Sequence, residues 1–183
     1  DCGLNPPENG DGYDGIHFRL WDGSNGYIVN IDPSYFTLNE FATLTFTAND
    51  EYLRAFFNGE VVDQTTLTGL MVPGQSPIWL ANPMGSQSSG EGYSFGGLID
   101  NFSMWNTALI QTEVQDYMNC PPSGDEEGLV GYWNFEEGSE ATVYDLSENG
   151  NDGTINGATW SDETPLQNCS FCSSSDNITV TIN

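Results

Sequence analysis

Short runs of alternating apolar and polar residues, separated by turn residues, recur along the chain. Residues 16–21 and 27–31 flank a turn rich in Gly, Asn and Asp, and residues 43–48 and 52–57 flank a second such turn. Alternation places every second side chain on one face of a strand, and these turn residues favour tight reversals. The pattern therefore predicts two β-hairpins in the first third of the chain.

A third hairpin is predicted by Asn58-Gly59, which lies between two apolar runs at 55–57 and 60–62. Asn-Gly is the strongest two-residue hairpin signal because both residues tolerate a positive φ. Further strands are predicted at 78–81, 98–105, 129–135 and 154–160.

One segment has helical rather than alternating spacing. Five apolar residues after Thr107 fall on one helix face, and Cys120-Pro121-Pro122 ends the run: Ala108, Leu109, Val114, Tyr117 and Met118. Many short strands with a single short helix, near 107–119, predict an all-β sandwich or barrel. We expect one domain over 1–168, with 169–183 as a linker or the first strand of a following module.

Charge changes this picture more than size does. The 183 residues include 27 acidic and two basic residues, Arg19 and Arg54, for a net charge of −25. A protein that follows a phosphate backbone needs Lys and Arg, so nucleic acid is excluded as a partner, and anionic membranes repel the chain. So many carboxylates repel each other unless cations screen or bind them, which indicates a salty or calcium-containing medium. The alternative is that the acidic residues only keep the protein soluble.

The four cysteines are even in number, as expected for two disulfides in an oxidising compartment: Cys2, Cys120, Cys169 and Cys172. Cys169 and Cys172 form a single C-x-x-C. A zinc site would need two further ligands, and His17 is the only histidine.

Three segments resemble laminin-G-like jelly rolls: the hairpin at 53–62, the "F-x-G-x-I-D" type strand and helix at 95–109, and the "G-L-V-x-Y-W" element at 128–138 with Asp145 and 149–155. The order of strand, short helix and closing strand is similar to that of pentraxins. The resemblance covers roughly 16–160, most clearly 50–160. It implies a concanavalin A-like jelly-roll sandwich of two antiparallel sheets, commonly non-catalytic, often calcium-binding, and used in adhesion or glycan recognition.

Two details qualify the resemblance. The cysteine placement, after the helix and again after Gly-Ala-Thr-Trp, looks like cell-surface proteins of marine Bacteroidota, and we predict pairing of Cys120 with Cys169 and, by elimination, of Cys2 with Cys172. The usual opening strands of the family are not recognisable in residues 1–40. The chain is therefore expected to be a fragment, or to have its sheet completed by a partner.

Calcium is the expected structural cofactor, and two places offer it oxygen ligands. Alternation along 98–105 sets Asp100 on one face with Phe102 and Met104, so its carboxylate should be partly buried and held by backbone amides or by a metal. The loop after Trp133 collects further oxygen ligands, although Asn and Asp beside Gly also form ordinary turns. The predicted metal ligands are Asp100, Glu136, Asp145, Asn151 and Asp152.

Tryptophans are the candidate ligand-binding residues. Trp21 and Trp79 lie near predicted strand ends, where an indole either stacks on a sugar ring or packs in the core. Trp133 is expected in the core. Trp105 falls on the opposite side from Phe102, and is expected to pack against the helix or a loop.

No catalytic residues are predicted. His17 alternates with apolar neighbours in a strand and has no partner motif. The protein is expected to be a non-catalytic, secreted or cell-surface binding module. It is expected to recognise glycans or neighbouring surface proteins with the help of bound calcium. The alternatives are a structural spacer, a polymerising subunit whose open sheet edge accepts a neighbour's strand, and a divergent glycoside hydrolase that uses Glu136 with Asp145.

Overall fold

The protein is described by a computed structural model that covers residues 2–5, as backbone, and 15–68, 78, 80, 95–139, 141–167 and 169 with their side chains. The strands are β1 Cys2–Asn5, β2 Gly15–Trp21, β3 Gly26–Ile31, β4 Leu44–Ala48, β5 Tyr52–Phe57, β6 Glu60–Thr66, β7 Phe102–Trp105, β8 Leu129–Trp133, β9 Thr142–Val143 and β10 Gly153–Thr154. A 3-10 turn spans Pro33–Tyr35, and helix α1 spans Gln111–Asn119.

Two three-stranded antiparallel sheets pack face to face. Their orders are β1-β2-β3 and β4-β5-β6, and β3 contacts both β5 and β6. Phe18 of one sheet stacks on Phe46 of the other, with ring centroids 5.0 Å apart. The residues buried between the sheets are Tyr27, Val29, Ile31, Leu53, Ala55 and Leu67. The predicted antiparallel two-sheet sandwich is thus confirmed.

The three predicted hairpins are confirmed almost to the residue. At the third, Asn58 and Gly59 adopt φ values of 48° and 79°, as the Asn-Gly turn requires. The side-chain carbonyl of Asn58 also accepts a hydrogen bond from the Thr43 amide at 2.8 Å, which ties β4 to the turn. Local sequence determines these turns because few residues other than Asn and Gly tolerate the left-handed region at little cost.

Helix α1 covers the outer face of the second sheet and creates a second core. Phe56, 1% exposed, packs there with Leu109 and Val114. The predicted helix is confirmed, but it begins at Gln111 rather than 107, where Glu113 accepts a hydrogen bond from the Ile110 amide at 2.8 Å and so caps the first turn. The ring of Trp105 lies 4.7 Å from that of Tyr117, as expected for packing against the helix.

Strands β7 and β8 pair antiparallel, and Phe102 stacks on Trp133 with ring centroids 5.5 Å apart. The prediction of one strand over 98–105 is wrong, because Asn101 has a φ of 52° and β7 begins only after it. Asp100 therefore does not share strand alternation with Phe102, and the half-exposed Ile99 lies outside the sheet.

Two other predicted strands are shorter in the structure, and a third lies largely outside the described residues. The strand predicted at 129–135 ends at Trp133, since Phe135 takes a left-handed φ of 57°. That predicted at 154–160 is reduced to Gly153–Thr154, which pairs with β9. Of 78–81, only residues 78 and 80 are described, and neither is in a strand.

The predicted bond between Cys120 and Cys169 is present, with Cα atoms 4.6 Å apart. It joins the end of α1 to the segment that follows β10, so that β8, β9 and β10 lie within one closed loop. The side chain of Cys2 and all of Cys172 lie outside the described residues, and that pairing stays a prediction.

Candidate functional site

The carboxylate of Asp145 joins three pieces of backbone. Its Oδ1 accepts hydrogen bonds from the amides of Tyr132 at 3.0 Å and Ser147 at 2.9 Å, and its Oδ2 accepts one from the Asn151 amide at 2.8 Å. Partial burial raises the pKa of Asp145, but these hydrogen bonds outweigh that effect and hold the pKa below its ordinary value. Asp145 is therefore an ionised anchor between strand β8 and the loop that follows β9.

The other oxygen-bearing side chains of this loop also bind backbone. Asp152 accepts from the Asp145 amide at 3.0 Å, and Glu137 accepts from the Tyr144 amide at 2.7 Å. Asn151 donates through Nδ2 to the carbonyl of Val130 at 2.8 Å, and its own carbonyl accepts from the Trp133 indole at 3.1 Å. Three of the predicted calcium ligands, Asp145, Asn151 and Asp152, thus bind backbone within this loop or on β8, and Oδ1 of Asp145 already has two amide donors.

A second polar group lies at the start of β7. Tyr132 donates its hydroxyl to Oδ1 of Asn101 at 2.6 Å, and Asn101 donates through Nδ2 to Oδ2 of Asp100 at 2.9 Å. Burial raises the pKa of Asp100, a hydrogen bond from the Asn101 amide partly offsets this, and the negative charge of Glu136 raises the pKa further. Burial, followed by the charges of Asp100 and Glu136, raises the pKa of Tyr132 to about 12. Asp100 and Glu136 are therefore close enough to repel each other.

The five predicted metal ligands fall into two groups. In the first group, the negative charge of Glu136 acts on Asp100. In the second group, Asp145 is hydrogen-bonded to Asn151 and to Asp152. Over the described ranges, no three or more His, Cys, Asp or Glu side chains are placed to hold one metal ion. Calcium at either place would thus take further oxygens from backbone carbonyls, side-chain amides or water, which it accepts readily.

Trp21 lies at the end of β2, and 60% of its surface is exposed, which rules out the core role. Its ring lies against the backbone of Gly26, where an added Cβ would be 3.2 Å from two ring carbons.

Next to Trp21, the carboxylate of Asp22 accepts hydrogen bonds from the amides of Asn25 and Ser24 at 2.6 and 2.8 Å and from the Tyr27 hydroxyl at 2.8 Å. These bonds, that of Asn25 first, hold the pKa of Asp22 well below its usual range. The result is an exposed indole beside a rigid polar turn. Trp79 lies outside the described residues.

His17 is part of the sheet and belongs to neither site. It lies in β2 between Gly3 of β1 and Asn30 of β3, and it is half-buried.

Sequence reasoning missed Asn101 and Tyr132. The residue type of Asn101 could have indicated a break in the strand, because Asn is one of the few residues that readily takes a positive φ. Nothing in the sequence joined it to Tyr132, 31 positions away.

The fold and these sites define the class of the molecule as a two-sheet antiparallel jelly-roll domain with a short covering helix. Residues 6–115 match the laminin G-type family described as the concanavalin A-like lectin/glucanases superfamily. The chain belongs to this family. The match includes β2 and β3, in the part of the chain where the family's opening strands are not recognisable from sequence, and it ends before the 128–155 element that also carries the resemblance.

A solved structure of an S-layer domain-containing protein (residues 221–444) from Clostridium thermocellum is 19% identical, with a TM-score of 0.39. The alignment covers 56% of this chain and 51% of that chain, so this chain spans about half of that structure. A comparison with curated proteins gives no match. Within the described ranges, helices fall short of the length and apolar character needed to cross a bilayer.

Proposed function

We propose that this domain is a non-catalytic, extracellular binding module that recognises glycans on a surface around Trp21, with calcium as a structural aid. Membership of a lectin and glucanase superfamily supports a role with carbohydrates. The Cys120–Cys169 disulfide supports an oxidising, extracellular location, where such bonds persist. Neighbouring surface proteins are the other partner class that this surface fits.

Trp21 is the observation that carries the proposal. A large indole exposed over 60% of its surface buries apolar area only when a ligand covers it. The ring is supported from below by Gly26, so little side-chain entropy is lost when a sugar ring stacks on it. Asn25 and Asp22 are held in place at the adjoining turn, where amide and carboxylate groups suit sugar hydroxyls. The combination of one flat apolar surface with fixed polar groups is the usual form of a selective small-ligand site.

A binding role fits the carboxylates better than hydrolysis does. A glycosidase needs one carboxyl that stays protonated and one that is ionised, flanking a cleft. Asp145, the candidate partner of Glu136, has both oxygens bound to backbone amides and a lowered pKa. It therefore serves poorly as a general acid, and its position is explained by the anchoring of the loop.

The test is a titration of soluble polysaccharides and oligosaccharides with the wild-type domain by calorimetry. We expect binding without release of reducing sugar. Trp21→Ala should weaken binding about tenfold or more, because loss of a central aromatic contact costs about 1.4 kcal/mol or more. Trp21→Phe should retain part of the affinity.

Tyr144→Ala is the matched control, since Tyr144 is 48% exposed and lies by β9, in another part of the molecule. It should leave the affinity unchanged. A domain that binds none of the glycans would overturn the proposal in favour of a structural spacer, and release of reducing sugar would show an enzyme.

The Asp100–Glu136 pair is the proposed calcium site. The negative charge of Glu136 disfavours the ionised state of Asp100, and a divalent cation between the two carboxylates would remove that repulsion and use both as ligands. Both arginines lie in the sandwich strands, Arg19 in β2 and Arg54 in β5, where Arg54 donates to Gln64 at 2.7 Å. We therefore propose calcium, rather than an arginine, as the positive charge that balances this pair.

A calcium titration followed by melting temperature tests the site. Because the folded pKa of Asp100 is raised, ionisation of Asp100 reduces stability as the pH rises above the ordinary value of 3.8. Without calcium, Asp100→Asn should therefore be neutral or stabilising at pH 7. With 5 mM calcium, the wild type should gain stability and Asp100→Asn should not.

Asp162→Asn, at an exposed position, is the control and should respond to calcium like the wild type. An equal response in all three proteins would place the calcium elsewhere.

A further inference from the structure

Strand β4 forms one edge of the β4-β5-β6 sheet, and among the described residues it has none of the usual protection of an edge strand. Its sequence, Leu-Thr-Phe-Thr-Ala over Leu44–Ala48, contains no charge, proline or glycine. Natural edge strands are blocked by Lys, Pro, bulges or inward-pointing charges, because an open row of backbone groups pairs with other strands. The chain has 27 acidic residues, and none of them lies on this strand.

The register shows which amides face outward. Asn58 donates to the carbonyl of Thr43, and Asn49 donates to that of Tyr52, so the hydrogen-bonded pairs between β4 and β5 fall at odd-numbered residues of β4. In an antiparallel ladder the alternate residues direct their N–H and C=O groups to the other side. Those residues are Leu44, Phe46 and Ala48, and no described segment of the chain pairs with that side of β4.

The opposite side of the sandwich is built differently. There β6 carries Glu60 and Asp63, and β3 lies over it. Asp63 accepts a hydrogen bond from the Asn30 amide of β3 at 2.8 Å, which caps that edge with a carboxylate. A strand approaching β3 or β6 would meet buried or repelling negative charge, whereas a strand approaching β4 would not.

We propose that β4 is a self-association surface, on which a second copy of this chain adds its own β4 antiparallel, with the two-fold axis at Phe46. This interface does not depend on the proposed glycan site. The strand is self-complementary in that register, since Thr45 lies opposite the partner's Thr47 and Leu44 opposite the partner's Ala48. Three outward N–H groups from each copy make six hydrogen bonds in the pair. An isologous contact of this kind closes as a dimer.

The lack of charge on β4 allows a second copy to join at this edge. Two chains of net charge −25 repel each other, and contact is least unfavourable where the joining strands carry no carboxylates. Added salt screens the repulsion between the two bodies but leaves the strand hydrogen bonds in place. Dimerisation should therefore strengthen as the ionic strength rises, unlike an association through ion pairs.

Analytical ultracentrifugation of the full chain over a hundredfold range of concentration, at low and high sodium chloride, tests the proposal. We expect a monomer–dimer equilibrium that shifts to dimer at high salt. Ala48→Pro removes one outward N–H from each copy and should weaken dimerisation by about tenfold or more, since two hydrogen bonds are lost. Ala48→Lys should do the same by placing charge at the edge.

Thr66→Pro and Thr66→Lys are the matched controls. Thr66 is exposed at the end of β6, and its amide also faces outward, because the neighbouring Leu67 amide bonds to Glu51 across β5. These variants should dimerise like the wild type. Equal effects of the Ala48 and Thr66 substitutions, or a monomer at every concentration and salt, would overturn the proposal.

Hydrogen exchange separates a second copy from a segment of the same chain. Amides of Leu44, Phe46 and Ala48 should gain protection as the protein concentration rises through the dimerisation range. Protection that is already complete in dilute solution would mean that the edge is covered within one chain, and would also overturn the proposal. Melting temperatures of the variants show that each is folded.

Discussion

Single carboxylates in this protein act chiefly as acceptors for backbone amides. Asp22 closes the β2–β3 turn, Asp63 caps an amide of β3, and Asp145 joins β8 to two later loop residues. A hydrogen bond from an amide stabilises the ionised carboxylate without any basic side chain. Acidic residues can therefore build structure in a chain that has two arginines and no lysine.

Asp145→Asn should lower the free energy of unfolding at pH 7 by about 2 kcal/mol, because a charged acceptor of three amide hydrogen bonds is replaced by a neutral one. The pKa of Asp145 is lowered on folding, so its contribution is present above the ordinary value of 3.8 and is lost as the pH falls through the folded value. Urea unfolding at pH 7 and pH 3 should thus show a smaller difference in the variant than in the wild type. Asp162→Asn should match the wild type at both pH values.

At the scale of elements, the segment that follows β8 has little strand pairing with the rest of the fold. Strands β9 and β10 have two residues each and, among the strands that the structure describes, pair only with one another. A two-stranded ribbon of this length is not stable alone in water. The carboxylate anchors and the Cys120–Cys169 disulfide supply what the strand pairing lacks.

Replacing both Cys120 and Cys169 by Ser should reduce the free energy of unfolding by about 4 kcal/mol, as chain entropy predicts for a closed loop with a sequence separation of 49. Urea denaturation under oxidising conditions measures this. Because reductant would also break the predicted Cys2–Cys172 bond, the comparison with reductant is made with Cys2 and Cys172 both replaced by Ser. In that background reduction should produce a similar loss, and the variant that also lacks Cys120 and Cys169 should be insensitive to reductant. Unchanged stability on removing the bond would show that the loop is held by its hydrogen bonds alone.

At the scale of the whole molecule, the β4-β5-β6 sheet joins two cores. Its inner face, with Leu53 and Ala55, packs on the first sheet, and its outer face presents Phe56 to α1. Around these cores the surface carries a large excess of negative charge, which opposes compactness. The stability of the domain should therefore depend strongly on the medium.

The melting temperature should rise as sodium chloride increases from 10 mM to 0.5 M, because screening reduces repulsion within the folded state. A variant in which four exposed carboxylates become amides should melt higher in low salt and gain less from added salt. The four positions are Glu40, Asp50, Glu148 and Asp162. Equal gains in both proteins would point to a salt effect on hydrophobic burial rather than on charge.

The sequence by itself determined the hairpins, the helix, the charge and the partner class that charge excludes. Turns such as Asn58-Gly59 are decided by φ preferences of adjacent residues, and strand faces by alternation, so both are local properties. The bond between Cys120 and Cys169 was chosen among three pairings by placement alone and is present.

Only the tertiary structure decided what the polar residues do. Asn101 ends the alternation that the sequence pattern carried through Asp100, and the acceptor role of Asp145 depends on amides 13 residues earlier and six residues later. The exposure of Trp21 and the unprotected edge of β4 depend on which elements lie beside them. Such properties arise from contacts between distant segments, and these are settled by packing of the whole chain rather than by any local preference of its residues.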